Sequence, residues 1–221
     1  MELITAEKLT KSYGNGDARV QALKDVSLEI GSGDFVALMG PSGSGKSTLL
    51  SILGALNTPD MGKYLVDGID VYSLDRDRRA DFRREYLGFV FQDFHLVPYL
   101  SLRENVMLPL TTKHLPGREK RDMAQDALTR VGLGDKGDRL PSQVSGGEQE
   151  RSAIARAIVN QPPIILADEP TGNLDAANGQ AVMGLLRGLA EEGVTIIMVT
   201  HSREFGAFAD RTLSVADGRL M

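Results

Sequence analysis

Three groups of residues in this sequence have the types and spacing that phosphate chemistry requires. The first is Gly40-Pro41-Ser42-Gly43-Ser44-Gly45-Lys46-Ser47, continued by Thr48, which satisfies the P-loop pattern. In such a loop the glycines let the backbone wrap closely and turn N–H groups toward phosphate. The lysine adds positive charge at the β- and γ-phosphates, and the hydroxyl of the next residue serves Mg²⁺. A plain Gly-Ser turn would need neither the apolar strand before this segment nor the helix after it. The second group is Asp168-Glu169, closing the apolar run Ile164-Ile165-Leu166-Ala167. A strand tip can present two carboxylates beside a P-loop, Asp168 holding Mg²⁺ through water and Glu169 polarising an attacking water as general base. The third is Ser145-Gly146-Gly147-Glu148, in which Ser145 and Glu148 have capping-box spacing ahead of a helical run. A glycine-rich helix start offers free N–H groups and a positive dipole end to phosphate, and one P-loop does not by itself call for a second such helix.

These residues need a scaffold, and the apolar pattern supplies one. Phe35 to Met39, Ile164 to Ala167 and Thr195 to Val199 are short, β-rich and almost continuous, as in strands covered on both faces of a parallel sheet. Lys46 to Leu56 and Asp175 to Glu191 read as the helices that follow two of them, giving strand-loop-helix units. Leu3 to Tyr13, Val20 to Leu23, Val26 to Ile30 and Tyr64 to Val71 read as short strands of an antiparallel flank. Residues from about 88 to 142 hold Pro98, Pro109, Pro116 and Pro141 between helical patterns and predict a helical insertion between two strands of the core. Within it, Ser101 and Glu104 have capping-box spacing. The expected fold class is therefore α/β, with a mostly parallel sheet, an N-terminal antiparallel β flank and an inserted α-helical subdomain.

Composition narrows the functional classes. The 221 residues carry a net charge of −5, no cysteine and 42% apolar residues. The negative balance argues against nucleic acid as the main partner, and zero cysteines exclude thiol nucleophiles, thiolate metal sites and disulfides and fit a cytosolic compartment. The arginines at 76, 78, 79, 83 and 84 alternate with acids and read as a solvated helix face. The start of the chain has no signal-peptide pattern, and no apolar run approaches the ~20 residues of a membrane helix, so a membrane role is expected to come through a partner.

Ser145-Gly146-Gly147 just before the Asp168-Glu169 strand resembles the signature of ABC ATPases, and the agreement extends over nearly the whole chain. Gln92 in Phe89-Val90-Phe91-Gln92 matches the family's Q-loop, Asn173-Leu174-Asp175 its D-loop, His201 its switch histidine, and Tyr13 the aromatic that stacks on adenine. The resemblance implies one nucleotide-binding domain over 1–221. Residues 1–87 and 160–221 would form the P-loop NTPase core with its flank, and 88–159 the helical subdomain carrying the Q-loop and signature. It implies ATP and Mg²⁺ as cofactors, with hydrolysis to ADP and phosphate. Lys46, Ser47, Gln92, Asp168, Glu169 and His201 would act on one ATP, Ser47, Gln92 and Asp168 toward the metal. Ser145, Gly146, Gly147 and Glu148 would act on the ATP of a second subunit, so a dimer belongs to the active site, and one full motif set per chain permits a homodimer.

Phe91-Gln92-Asp93-Phe94-His95-Leu96-Val97-Pro98, Glu104-Asn105-Val106 and Thr171-Gly172-Asn173-Leu174-Asp175 resemble the branch containing LolD, the MacB ATPase domain and FtsE. That branch implies a peripheral protein on the cytoplasmic face of the inner membrane, driving FtsX/MacB-type membrane subunits in lipoprotein release or efflux. A 221-residue chain is the better match to a stand-alone, LolD-type subunit. Val144 and Glu148 replace the usual Leu and Gln of the signature, and Glu150 stands where Gln is commoner, with two outcomes open: it weakens closure or it faces solvent. The stretch Phe94, Leu96, Val97, Tyr99, Leu100, Leu102 reads either as core of the insertion or as a groove for a partner's coupling helix. The alternatives are a soluble DNA-repair or translation-type ABC ATPase, which usually carries a coiled-coil insertion or tandem cassettes, and a small-molecule P-loop kinase, which needs no second subunit.

Overall fold

The computed structural model describes residues 2–14 and 19–221. Two long strands, β1 (Glu2–Tyr13) and β2 (Val20–Gly31), pair antiparallel and are followed by β3 (Phe35–Met39) and helix α1 (Lys46–Leu53). Next come β4 (Met61–Val66), β5 (Ile69–Asp70), α2 (Arg76–Tyr86) and β6 (Leu87–Phe91). Helices α3 (Leu102–Met107), α4 (Gly117–Arg130) and α5 (Gly146–Ile158) lead back to β7 (Ile164–Asp168). The chain closes with α6 (Ala176–Glu191), β8 (Thr195–Val199), α7 (Arg203–Gly206), β9 (Arg211–Ala216) and β10 (Arg219–Leu220).

Among the described residues these strands form a four-stranded antiparallel sheet, β2-β1-β4-β5, and a six-stranded sheet, β10-β9-β3-β8-β7-β6. In the larger sheet β9, β3, β8, β7 and β6 run parallel and β10 is antiparallel. Alternate residues of its central strands serve different cores. Phe35 and Ala37, Ile165 and Ala167, Ile196 and Met198 pack with α3 to α6 on one face. Val36 and Leu38, Ile164 and Leu166, Ile197 and Val199 pack with α1 and the antiparallel flank on the other. A strand buried on both sides has no polar register to show, which is why these runs are apolar almost throughout.

The structure redraws several boundaries. Val20 to Leu23 and Val26 to Ile30 belong to one strand, β2, with a left-handed Asp25 (φ 53°) between them and shifts in register against β1, as a bulge produces. Tyr64 to Val71 is instead a hairpin, cut at Asp67-Gly68, where both residues have positive φ. The α1 helix stops at Leu53, capped by Gly54. The helical insertion starts after Phe91 and not at 88, because residues 87–91 pair with β7 as the edge of the core sheet. The capping box of Ser101 and Glu104 is formed, and Asn105 beside it is fully buried. Its amide receives the N–H of Val97 at 2.7 Å and donates to the carbonyls of Val97, Leu100 and Ser101, which fixes the loop leading out of β6.

Glu150 does not face solvent, the simpler of the two outcomes left open by the sequence. It lies wholly inside the helical segment, 0% exposed, and among the described residues neither of its carboxylate oxygens has a hydrogen-bond partner. Burial pushes its carboxyl up to about 8, against the opposing pull of Arg156. The folded protein therefore keeps a proton that the unfolded chain releases in the ordinary carboxylate range. That contribution to stability is complete at acid pH and is lost as pH rises through about 8. Glu150→Gln is expected to melt higher than wild type at about pH 9, with the gap narrowing toward about pH 6; a gap of constant size across that series in thermal melts would remove Glu150 from this role.

Candidate functional site

The loop between β3 and α1 is closed around the backbone of the flank. Gly45 has φ +107°, and a Cβ there would lie 2.4 Å from the Ala22 carbonyl oxygen of β2, so only glycine lets the loop lie so near that strand. Gly45 also stands at the N-cap of α1 with no side-chain cap, leaving the first-turn N–H groups directed at the cleft for an anion to meet. The cleft, about 400 Å³, is lined by Gly40, Ser42, Gly43, Gly45, Lys46, Ser47 and Thr48 together with Tyr13, Ala22, Glu169, Val199 and His201. Pro41 and Ser44 do not line it. Ser44 is buried, and its backbone carbonyl accepts from Gly218 of the β9-β10 turn at 3.0 Å, so it braces the loop from behind.

Lys46 is 9% exposed, and its ammonium donates to the carbonyls of Gly40 at 2.9 Å and Pro41 at 2.8 Å. Ser47 Oγ stands 3.5 Å from Asp168 Oδ1. Burial first, and then the charge of Glu169, push the Asp168 carboxyl upward, offset by Ser47 and Lys46. A hydroxyl and a carboxylate facing each other beside a phosphate-type loop are the hard oxygen donors that suit Mg²⁺, so the residues present fit that ion.

Glu169 adopts φ +49°, a left-handed conformation that costs about 1–3 kcal/mol for a residue with a side chain. Its backbone N–H is tied to the Val199 carbonyl at 3.0 Å. The turn brings its carboxylate to the His201 ring Nδ1 at 3.0 Å and the His201 backbone N–H at 3.4 Å. The pair sits at the mouth of the cleft, with the histidine side chain 75% exposed and the glutamate 17%. Gln92, just past β6, is held less directly: Asn173 donates to its carbonyl at 2.9 Å and to Asp93 at 3.2 Å. Gly172 packs on its side chain and is itself tied to the Glu169 carbonyl. Gln92 thus joins the site through the loop 169–173 and is not part of the cleft lining.

The remaining predicted residues lie elsewhere on the chain. Ser145 caps α5 by accepting from Glu148 N–H at 3.3 Å, while its own N–H donates to the Glu148 carboxylate at 2.8 Å. A hydrogen bond from Lys136, with that from Ser145, holds the Glu148 carboxyl down to about 2. Gly147 is the contact point with α6. A Cβ there would fall 2.1 Å from the Asn178 side-chain oxygen, and Asn178 is in turn held by the cap Asp175, at 2.8 Å from its N–H. None of residues 145–148 lines the cleft. The sequence places Asn173 in the D-loop without its bonds to Gln92 and Asp93, and it gives no sign of Asn178 or of the backbone of Ala22 and Val199, whose roles arise from contacts across separate elements.

A family model described as ABC transporter matches residues 23–172. The ABC transporter ATP-binding protein MJ1508 of Methanocaldococcus jannaschii is 48% identical over 219 residues, covering 99% of this chain and 98% of that one. The macrolide export ATP-binding/permease protein MacB of Brucella abortus is also 48% identical over 219 residues, of which this chain spans 34% of the length. Among solved structures, the dimeric ATP-binding cassette MJ0796 bound to ADP and Pi superposes with a TM-score of 0.90 at 43% identity, over 98% of this chain and 96% of that one. CbiO1 of Clostridium perfringens, part of the transporter complex cbiONQ, matches with a TM-score of 0.89 at 30% identity, over 100% and 87% of the two chains. With its P-loop cleft, carboxylate–histidine pair and glycine-tipped α5 in place, the chain is an ATP-binding cassette and belongs to the ABC transporter family, where it stands with the MacB- and MJ0796-like members.

Proposed function

We propose that this chain binds MgATP in the P-loop cleft, hydrolyses it as a head-to-tail dimer of two copies, and drives a separate membrane-integral partner from the cytoplasmic face. The observation that carries this reading is the separation of the two phosphate-type helix starts. The cleft holds the α1 end, whereas none of residues 145–148 reaches it. A second copy related by a two-fold axis would bring its own α5 tip to the open side of the cleft, and the reverse contact would follow by symmetry.

In this reading Lys46 moves from the Gly40 and Pro41 carbonyls to the β- and γ-phosphates, exchanging two neutral acceptors for charged ones. Ser47, Asp168 and Gln92 hold Mg²⁺, which when bound neutralises phosphate charge. Glu169 takes the proton of the attacking water, and the His201 ring, 3.0 Å from its carboxylate, keeps that carboxylate aimed. Tyr13 stacks on the adenine, and Ser145, Gly146 and Gly147 close over the partner copy's nucleotide, with Asp175 bracing Gly147 through Asn178.

The membrane partner would dock in a groove of about 490 Å³ between α2, β6 and the helical segment. Its lining includes the apolar Leu56, Phe89, Phe91 and Leu108 and the arginines Arg83, Arg84 and Arg156. This is beside the stretch read in sequence and not on it: Leu102 is core, Leu96 packs against core, and Tyr99 is 78% exposed. An amphipathic helix with an acidic edge suits such a groove. The absence of any membrane-spanning helix among the described residues is compatible with this division of labour, and the MacB relatives favour export as the work done.

Three measurements test these roles. Glu169→Gln is expected to lower kcat by roughly 10²- to 10⁴-fold and to accumulate an ATP-bound dimer in light scattering; wild-type turnover would remove Glu169 as the base. Gly146→Asp has room, since a Cβ at 146 meets nothing closer than 3.8 Å, and an acid favours a helix start, yet it repels phosphate. Lys46→Ala and Gly146→Asp chains are each expected to be inactive alone and to regain turnover when mixed, because one of the two shared sites is then intact; no recovery would sink the head-to-tail arrangement. Leu56→Asp is expected to lose the membrane partner in a pull-down while its melting temperature stays at the wild-type value.

A further inference from the structure

Tyr13 is 44% exposed at the edge of the cleft, and an aromatic ring so placed is free to turn unless something holds it. Two contacts hold it. The Asn57 side-chain amide donates to the Tyr13 hydroxyl at 2.5 Å, and the Lys11 ammonium stands 5.7 Å from the ring centroid, within cation–π range. Neither contact is isolated. Lys11 is fixed by the Thr58 carbonyl at 2.7 Å and the Asp60 carboxylate at 3.2 Å. The other Asp60 oxygen accepts from the Ser12 N–H at 2.7 Å, and the Asp60 N–H donates to the Thr10 carbonyl at 2.8 Å. The segment 57–60 is therefore laced to residues 10–13 of β1 along its whole length.

The same segment is anchored to the phosphate-binding helix. The N–H groups of Leu56 and Asn57 both donate to the Ser51 carbonyl of α1, at 2.9 and 3.2 Å. The Tyr72 hydroxyl bonds the carbonyls of Ile52 and Asn57, each at 2.6 Å. A helix of eight residues, about 12 Å long, thus carries Lys46 and Ser47 at one end and fixes the partner of Tyr13 at the other.

We infer that Asn57 is a positioning residue for nucleotide binding. Through the Tyr13 hydroxyl it sets the ring at a defined place relative to the phosphate loop, with the Lys11–Asp60 pair as the second point of the latch. The inference rests on the MgATP reading of the cleft and deepens it. Asn57 touches no nucleotide in this scheme. Its effect appears in affinity for a ligand that bears a base, and not in the chemical step.

The test compares Asn57→Ala, Asn57→Asp, Tyr13→Phe and the Asn57→Ala/Tyr13→Phe pair for steady-state ATP hydrolysis, with Tyr13→Ala as reference and inorganic tripolyphosphate as a probe without a base. Asn57→Ala is expected to raise KM for ATP roughly three- to tenfold with kcat at saturation held. Tyr13→Phe, which keeps the ring and loses the hydroxyl, is expected to match it, and the pair to add nothing further. Asn57→Asp restores a bond, with the hydroxyl now donating, and is expected to return KM toward wild type. Tripolyphosphate affinity is expected to be the same in wild type and Asn57→Ala. An unchanged KM in Asn57→Ala beside a raised KM in Tyr13→Ala would overturn the latch and leave the cleft reading standing. An equal loss of ATP and tripolyphosphate affinity would overturn it as general damage. Failure of the wild-type chain to bind ATP would bring down both.

Discussion

A helix cannot satisfy the N–H groups of its own first turn, and the proposed function draws on that shortage at two points of this chain. At α1 the cap is a glycine with no side-chain bond, so the free groups face the cleft. At α5 the capping box of Ser145 and Glu148 consumes the bonds at its two ends and leaves the glycines between them to offer theirs. Both arrangements need main chain at close quarters, against Ala22 at Gly45 and against Asn178 at Gly147. The rest of the fold can be read as the support that holds these two tips, the parallel sheet behind the first and the sandwich of β6, α3 and α4 around the second.

Much of this was legible in the residues, for reasons that can be named. The central strands are apolar without alternation because each face has its own core. The P-loop and the Asp168-Glu169 pair are local sequences in a required context, so spacing alone suffices to find them. The boundaries were less legible. A left-handed Asp25 inside β2 breaks the strand pattern without ending the strand, and the apolar edge strand β6 runs straight into the helical segment. The helical stripe of α5 puts Glu150 with the buried Ala153 and Ile154, although an acidic side chain near a helix start commonly faces solvent. Contacts such as Asn57 with Tyr13 span 44 residues, and no local pattern announces them.

The loop after β6 is braced from both sides. Arg156 of α5 donates to the carbonyls of Phe94 and His95 at 2.6 and 2.5 Å, two consecutive residues with positive φ. On the other flank, Asn173 holds Gln92 and Asp93. His95 and Arg156 also line the groove proposed for the membrane partner. A strained segment therefore lies between that groove and the loop 169–173 that carries Glu169, and a displacement felt at one end has a short covalent and hydrogen-bonded path to the other.

The ion pair of Glu148 with Lys136 and the reciprocal bonds of Ser145 lie entirely within one protomer. The α5 tip is consequently shaped within the single chain, and the association proposed above need not recruit a floppy segment at the moment of contact. The entropic toll that often weakens assembly through loops falls on folding instead. In the proposed dimer an encounter between copies is then sorted by fit alone, as a clasp that opens and closes with each nucleotide requires.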